Sequence, residues 1–294
     1  MKNRINGSIT ALVTPFKDGQ VDEDAYKAFI NWQIENGTHA LVPCGTTGET
    51  STLSNTEHVH VIEHCVNAAK GRVPVIAGIG SNNTHEAIHM GHEAQRVGAD
   101  AVLAVAPYYN KPSQDGLYQH FKAIADAIEL PIILYNIPGR SIVDISLSTM
   151  ERLADLPSVF ALKDATGDLS RVSDYKAKCG TKFIQLSGDD PTALAHWAHG
   201  GNGCISVASN IAPKQCAEFH KACADGNFAL ARQLHEKLDP LFKDIFLDAS
   251  PAPTKYALSL LGKMREDVRL PITLCQDSTK KSVRAAMKNA GLDF

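Results

Sequence analysis

Three short runs decide how this chain folds: Ala101-Val102-Leu103-Ala104-Val105-Ala106, Ile132-Ile133-Leu134-Tyr135 and Val159-Phe160-Ala161-Leu162-Lys163. Each is an almost unbroken string of apolar residues. A strand with one wet face alternates apolar and polar, whereas a parallel strand covered on both faces reads as a continuous apolar run. Amphipathic, helix-length stretches separate the three, so the spacing predicts strand, helix, strand. Working outward, similar runs recur at 8–13, 39–42, 75–78, 182–186 and 203–207, which makes eight β-then-α units. Some of the intervening helices have readable starts. Ser54 and Glu57 stand at capping-box spacing, Asn83-Thr84 offers an N-cap, and Asp190-Pro191 places Pro at a plausible first helical position.

Eight such units imply a parallel sheet, closed as a barrel or open and doubly wound. No G-x-G-x-x-G follows the first strand, which weakens the dinucleotide-binding form. After about residue 226 the rhythm stops, and 227–239, 241–248, 252–261 and 280–290 read as helices without strands between them. The expected organisation is α/β: a (β/α)8 TIM barrel over 1–226 with a C-terminal helical domain over 227–294.

Bulk properties narrow the function. With 294 residues, 44% of them hydrophobic, the chain can fill one large core or one large domain with a small appendage. A formal charge of -3, with Lys and Arg spread along the chain, supplies no basic footprint for nucleic acid. No basic amphipathic segment suggests a membrane surface, and no stretch approaches the roughly 18 to 20 apolar residues that cross a bilayer. Met1-Lys2-Asn3-Arg4-Ile5-Asn6-Gly7 runs into the first strand without an apolar or Arg/Ser-rich leader, so neither a signal nor a transit peptide is expected. The cysteines, Cys44, Cys65, Cys179, Cys204, Cys216, Cys223 and Cys275, are odd in number and never form C-x-x-C. They are expected to be reduced, mostly buried thiols of a cytoplasmic protein.

In a barrel of this kind the chemistry sits where strands end. Strand two ends in Pro43-Cys44-Gly45-Thr46-Thr47-Gly48-Glu49, strand four in Pro107-Tyr108-Tyr109-Asn110, and strand five in Tyr135-Asn136-Ile137-Pro138-Gly139-Arg140. Strand six ends in Leu162-Lys163-Asp164-Ala165-Thr166-Gly167 and strand seven in Ser187-Gly188-Asp189-Asp190. A lysine closing an apolar strand carries its amine into a low-dielectric mouth, where desolvation disfavours the ammonium and favours the nucleophilic amine. The plain alternative is a lysine reaching to solvent. Beside Lys163, Tyr135 can shuttle protons. The glycines, amides and hydroxyls of 45–48 can cradle a carboxylate, although the turn lacks the Lys and spacing of a P-loop. Arg140 can clamp a second carboxylate with its guanidinium fork, or form an ordinary surface ion pair.

Taken together, Gly45-Thr46-Thr47-Gly48-Glu49, Tyr135-Asn136-Ile137-Pro138 and Leu162-Lys163-Asp164-Ala165-Thr166-Gly167 resemble the pyruvate-dependent class I aldolase superfamily, which holds the dihydrodipicolinate synthases and N-acetylneuraminate lyases. The resemblance runs from Gly7 to about Leu292. Pro107-Tyr108-Tyr109-Asn110-Lys111-Pro112, Leu186-Ser187-Gly188-Asp189-Asp190, the Thr46-Thr47 pair and Arg140 favour the dihydrodipicolinate synthase branch. What that resemblance implies is a lyase that condenses pyruvate with L-aspartate 4-semialdehyde, through a Schiff base, on the diaminopimelate route to lysine. It implies that Lys163 forms the pyruvyl imine and Tyr135 handles protons. Thr46 would link Tyr135 to Tyr109, with Tyr109 reaching in from a neighbouring subunit. Thr47 would hold the pyruvate carboxylate, Arg140 that of the semialdehyde, and Gly188 and Ile205 would line the pyruvate pocket. The imine itself serves as electron sink, so no metal or other cofactor is required. A homotetramer, a dimer of dimers, is implied, and L-lysine is implied as an effector at Ser51, Asn55, His58, Asn82, Glu86 and Tyr108. Asn55 departs from the His that lysine-sensitive bacterial enzymes often carry.

Two rival readings weigh against it. His85-Glu86-Ala87-Ile88-His89 matches the zinc-peptidase pattern H-E-x-x-H. Its helix follows strand three, however, and is expected on the outer layer with its histidines solvated; His58, His60 and His64 are read the same way. A barrel that only senses a keto acid would need no imine-forming lysine.

Overall fold

A computed structural model describes residues 5–181 and 183–294. Residues 1–4, where the domain expected over 1–226 begins, and Lys182, where the strand expected over 182–186 begins, lie outside the described residues. The apolar runs form β1 (Gly7–Ala11), β2 (Ala40–Val42), β3 (Ile76–Gly78), β4 (Ala101–Val105), β5 (Ile132–Asn136), β6 (Val159–Asp164), β7 (Ile184–Ser187) and β8 (Gly203–Ser206). They pair in parallel in chain order, and β1 lies beside β8. The ring closes between β2 and β3: Leu41 bridges Val75, and the Gly78 amide donates to the Pro43 carbonyl at 3.0 Å. Gly is required at that seam because a Cβ on Gly78 would lie 2.2 Å from the Cys44 carbonyl oxygen. The sheet is thus a closed barrel and not an open doubly wound one.

Helices α1 (Glu23–Glu35), α2 (Asn55–Ala69), α3 (Thr84–Arg96), α4 (Gln114–Ala127), α5 (Leu147–Ala154), α6 (Ser170–Cys179), α7 (Ala193–Ala198) and α8 (Pro213–Ala224) follow the strands. Ser54 and Glu57 form the capping box expected of α2, and the Asn83 side chain caps α3. Inside the barrel, Ile9, Val42, Ile76, Leu103, Ile133, Tyr135, Phe160, Ala161, Leu186 and Ile205 belong to one inner core. A register shift where β5 meets β6 lets Phe160 and Ala161 both join it.

Several expectations need correction. Pro191 does not open a helix: α7 starts at Ala193, and the buried Asp190 carboxylate instead accepts from the Val207 and Ala208 amides at 3.0 and 3.1 Å. The separate helices expected over 227–239 and 241–248 are one, α9 (Phe228–Asp244), which runs through Pro240 because Leu238, Leu241 and Phe242 stay buried on either side of it. α10 (Ala252–Leu260) and α11 (Asp277–Asn289) follow, and α9 packs on α8 and α11. A hairpin of Phe16–Lys17 with Gln20–Val21 was not expected, although Asp18-Gly19, both at positive φ, is a strong turn signal. His85, His89 and His92 are exposed on α3, as expected. His58 is not: it is 8% exposed, with Nε2 2.7 Å from the Gly78 carbonyl oxygen.

Burial also lowers the His196 pKa, to about 4, and both ring nitrogens lack a hydrogen-bond partner among the described residues. The folded chain therefore resists a proton that the unfolded chain accepts below about pH 6.5. Stability is full above that pH and is lost as pH falls towards the folded value. His196→Phe removes this uptake. Between pH 7 and pH 5 the variant should gain about 2 kcal/mol relative to the parent in urea unfolding; an unchanged difference would contradict the assignment.

Candidate active site

The C-terminal mouth of the barrel opens into a cavity of about 230 Å³. Its walls include Gly45, Thr46 and Thr47 from the turn after β2, Tyr108 after β4, Tyr135 on β5, Arg140 after β5, and Lys163 on β6. Residues that are far apart in sequence meet here because each closes or follows a barrel strand.

Lys163 and Tyr135 are partners in the parallel register of β6 and β5, so their side chains leave the sheet on the same face. Both are 6% exposed, and the Lys163 ammonium position lies 4.1 Å from the centre of the Tyr135 ring. Gly188, just past β7, makes room for the lysine stem: a Cβ there would lie 3.0 Å from Lys163 Cε and 2.9 Å from Ala165 Cβ. Among the described residues no carboxylate pairs with Lys163. A part-buried amine beside a phenol, without an ion-pair partner, is disposed to attack an electrophilic carbon.

Across the cavity, Thr46–Gly48 is a single 3-10 turn flanked by two left-handed non-glycine residues, Cys44 (φ 56) and Glu49 (φ 55). Thr47 is buried and Thr46 exposed. Thr14 Oγ1 donates to the Gly48 carbonyl at 2.7 Å and supports the turn from beneath. The first amides of such a turn have no carbonyl to bond within it, which makes them donors for an anion.

Arg140 lies in a short helical turn, Pro138–Ser141, and not in an extended loop. It is exposed on the cavity wall and has no ion-pair partner among the described residues, so its guanidinium fork is open. Asn136 and Arg171 hold the loop that follows: both donate to Asp144, at 2.7 and 2.8 Å.

The remaining expected residues divide. Ile205 is buried in the inner core, and neither it nor Gly188 is part of the open cavity wall. Tyr109 is 91% exposed and is not part of its own chain's cavity wall. Ser51 and Tyr108 share the cavity wall. Asn55 is exposed in the first turn of α2, and Glu86 accepts from Ser81 Oγ at 2.5 Å. The Asn82 carbonyl accepts from Asn110 at 2.8 Å, and His58 is buried against Thr50 and Gly78. Thr50 and Ser141 line the cavity but carried no sequence signal beyond their place in the same rim segments.

The profile of the dihydrodipicolinate synthetase family matches residues 4–290. A protein of Bradyrhizobium diazoefficiens named 4-hydroxy-tetrahydrodipicolinate synthase is 56% identical over 291 residues, covering 99% of this chain and 98% of its own. Among solved structures, the chloride-inhibited dihydrodipicolinate synthase of Acinetobacter baumannii complexed with pyruvate is 45% identical, with a TM-score of 0.95 over 98% of this chain and 99% of that one. The enzyme of Cyanidioschyzon merolae, solved with lysine bound, is 39% identical, with a TM-score of 0.95 over 98% and 99% of the two chains.

Proposed function

This chain belongs to the dihydrodipicolinate synthetase family, and from that membership we propose how its own residues carry the reaction. It is an enzyme, a lyase that condenses pyruvate with L-aspartate 4-semialdehyde on the diaminopimelate route to lysine. The observation that carries the assignment of roles is the Lys163–Tyr135 pair, with the amine 4.1 Å from the centre of the ring, in the lining of a cavity that also holds Thr47 and Arg140.

Lys163 Nζ adds to the pyruvate keto carbon. Tyr135 delivers a proton to the oxygen and takes one from nitrogen as the carbinolamine forms and loses water. The protonated imine then draws electrons from the adjacent methyl group, which sheds a proton and becomes an enamine nucleophile. That carbon attacks the aldehyde, forming the new carbon–carbon bond as the aldehyde oxygen takes up a proton. The amino group of the former semialdehyde then adds to the imine carbon and displaces Lys163, which leaves as the free amine with the cyclised product released. Thr47 and the neighbouring amides hold the pyruvate carboxylate. Arg140 holds the carboxylate of the semialdehyde. A steady-state assay with both substrates tests the acceptor: a kcat/KM at least about tenfold higher for L-aspartate 4-semialdehyde than for a shorter aldehyde lacking the carboxylate is expected. Equal values would remove Arg140 from its role.

Tyr109 completes the proton relay from a neighbouring subunit, in a homotetramer built as a dimer of dimers, with Thr46, which makes no hydrogen bond to Tyr135 within the described chain, closing onto both phenols in the assembled site. Its side chain is far out of its own chain, on a turn where Asn110 is tied to Asn82 at 2.8 Å, which supports a reach across an interface. Tyr109→Ala and Lys163→Met chains, each inactive alone, should regain activity when unfolded together and refolded, because a mixed pair holds one complete site. Mixtures as inactive as their parents would place the relay within one chain.

Lysine acts as an effector near Ser51, Asn55, His58, Asn82, Glu86 and Tyr108, with a potency altered by Asn55. A lysine titration should inhibit at millimolar concentration. A flat response would remove the effector site.

A further inference from the structure

Lys255 lies on α10, in the helical region beyond the barrel, and no reaction step above uses it. Its side chain is fully buried, and it forms an ion pair of 2.5 Å with Glu49, whose side chain is also fully buried. Glu49 is the left-handed residue that ends the Thr46–Gly48 turn. The segment after α10 closes over the same carboxylate. The Arg269 amide donates to the second Glu49 oxygen at 3.0 Å, and the Asp267 carbonyl accepts from Lys255 Nζ at 2.8 Å. The Arg269 guanidinium then fastens this strap to the barrel, donating to both oxygens of Glu57 at 2.6 and 3.0 Å and to the Thr52 carbonyl at 2.9 Å.

A buried pair of this kind is poor evidence for stability, since apolar replacements of similar volume often serve as well. What it fixes is geometry. A non-glycine residue in the left-handed region persists only where its surroundings over-determine it. At Glu49 the surroundings are Lys255 and the strap. Two peptide units separate Glu49 from Thr47, so a displaced carboxylate rotates the amides and hydroxyl that face the cavity. The loop that follows Arg140 is held separately, by Asn136 and Arg171 on Asp144, and among the described residues no hydrogen bond joins those residues to this pair.

We propose that Lys255 is a positioning residue for the pyruvate subsite: through Glu49 it holds the Thr46–Thr47 turn in the conformation that receives the pyruvate carboxylate. This rests on the assignment of that turn to pyruvate. Burial lowers the Lys255 pKa to about 8, against the opposing pull of Glu49.

The test uses the full-length enzyme with Lys255→Met, Glu49→Gln and the double variant, in which no buried charge is left alone. In the folded variants, pyruvate KM should rise at least about tenfold while the semialdehyde KM moves less than about twofold, since small misplacements of a binding group have effects of this size or larger. Equal movement of both KM values, or an unchanged pyruvate KM, would overturn the proposal. Failure of all three variants to fold would also overturn it, by making the pair purely structural. Borohydride trapping of pyruvate on the unmodified enzyme separates the two layers. An adduct on Lys163 with unchanged KM values in the variants sinks only the positioning role, whereas no adduct sinks the site assignment beneath it.

Discussion

Lys163→Met should lower kcat/KM by at least about 10^3-fold and leave the barrel folded, because the lost step is nucleophilic attack and nothing nearby substitutes for the amine. The fold is expected to survive for three reasons. Lys163 has no buried carboxylate partner among the described residues, so its loss strands no charge. Methionine is unbranched and follows the course of the lysine stem. The space beside Gly188 that the stem occupies stays filled. Circular dichroism and a urea midpoint close to that of the parent would confirm a folded variant. Residual activity within tenfold of the parent in such a protein would remove the Schiff base from the mechanism.

Tyr135→Phe should lower kcat by about 10^2-fold to 10^4-fold, the range typical of a lost general acid–base group. The substitution keeps the ring that lies 4.1 Å from Lys163 and removes only the phenol oxygen, so packing is not the variable. No described residue bonds that oxygen within the chain, and the folded state should lose little stability. Imine formation is expected to slow and not to stop, because water can carry the protons less efficiently. Retention of more than a third of the parental kcat would leave Tyr135 a packing residue.

The barrel was legible because parallel strands covered on both faces leave short, continuous apolar runs, here repeated eight times with helix-length stretches between them. The eight runs match β1 to β8 within a residue or two at their ends. Lys163 and Tyr135 could be paired from sequence since both close such a run. The choice of face is another matter: the register shift at Phe160 puts neighbouring residues into the inner core and cannot be counted from a two-residue period. His58 was misread as solvated, yet Ile62 and Cys65, four and seven residues on, are buried and mark its face as the inner one. Proline 240 was read as a break, whereas burial on both sides of it carries the helix through.

The tie between Glu49 and Lys255 was harder to find, because 206 positions separate them and no local pattern joins them. A clue was nevertheless present. Lys255 stands in Ala252-Pro253-Thr254-Lys255-Tyr256-Ala257-Leu258, which is buried on every side, and a lysine inside such a helix needs a partner. Tyr109 is the opposite case. Its exposure of 91% leaves it with no role inside one chain's cavity, and the role proposed for it depends on a neighbouring subunit.

The most direct test of the central claim is reduction with borohydride in the presence of pyruvate, followed by mass spectrometry of the peptides. A single pyruvate-derived addition on the peptide containing Lys163, lost when pyruvate is omitted, is the predicted result. An enzyme that turns over both substrates but carries the addition on another lysine, or none, would contradict the account.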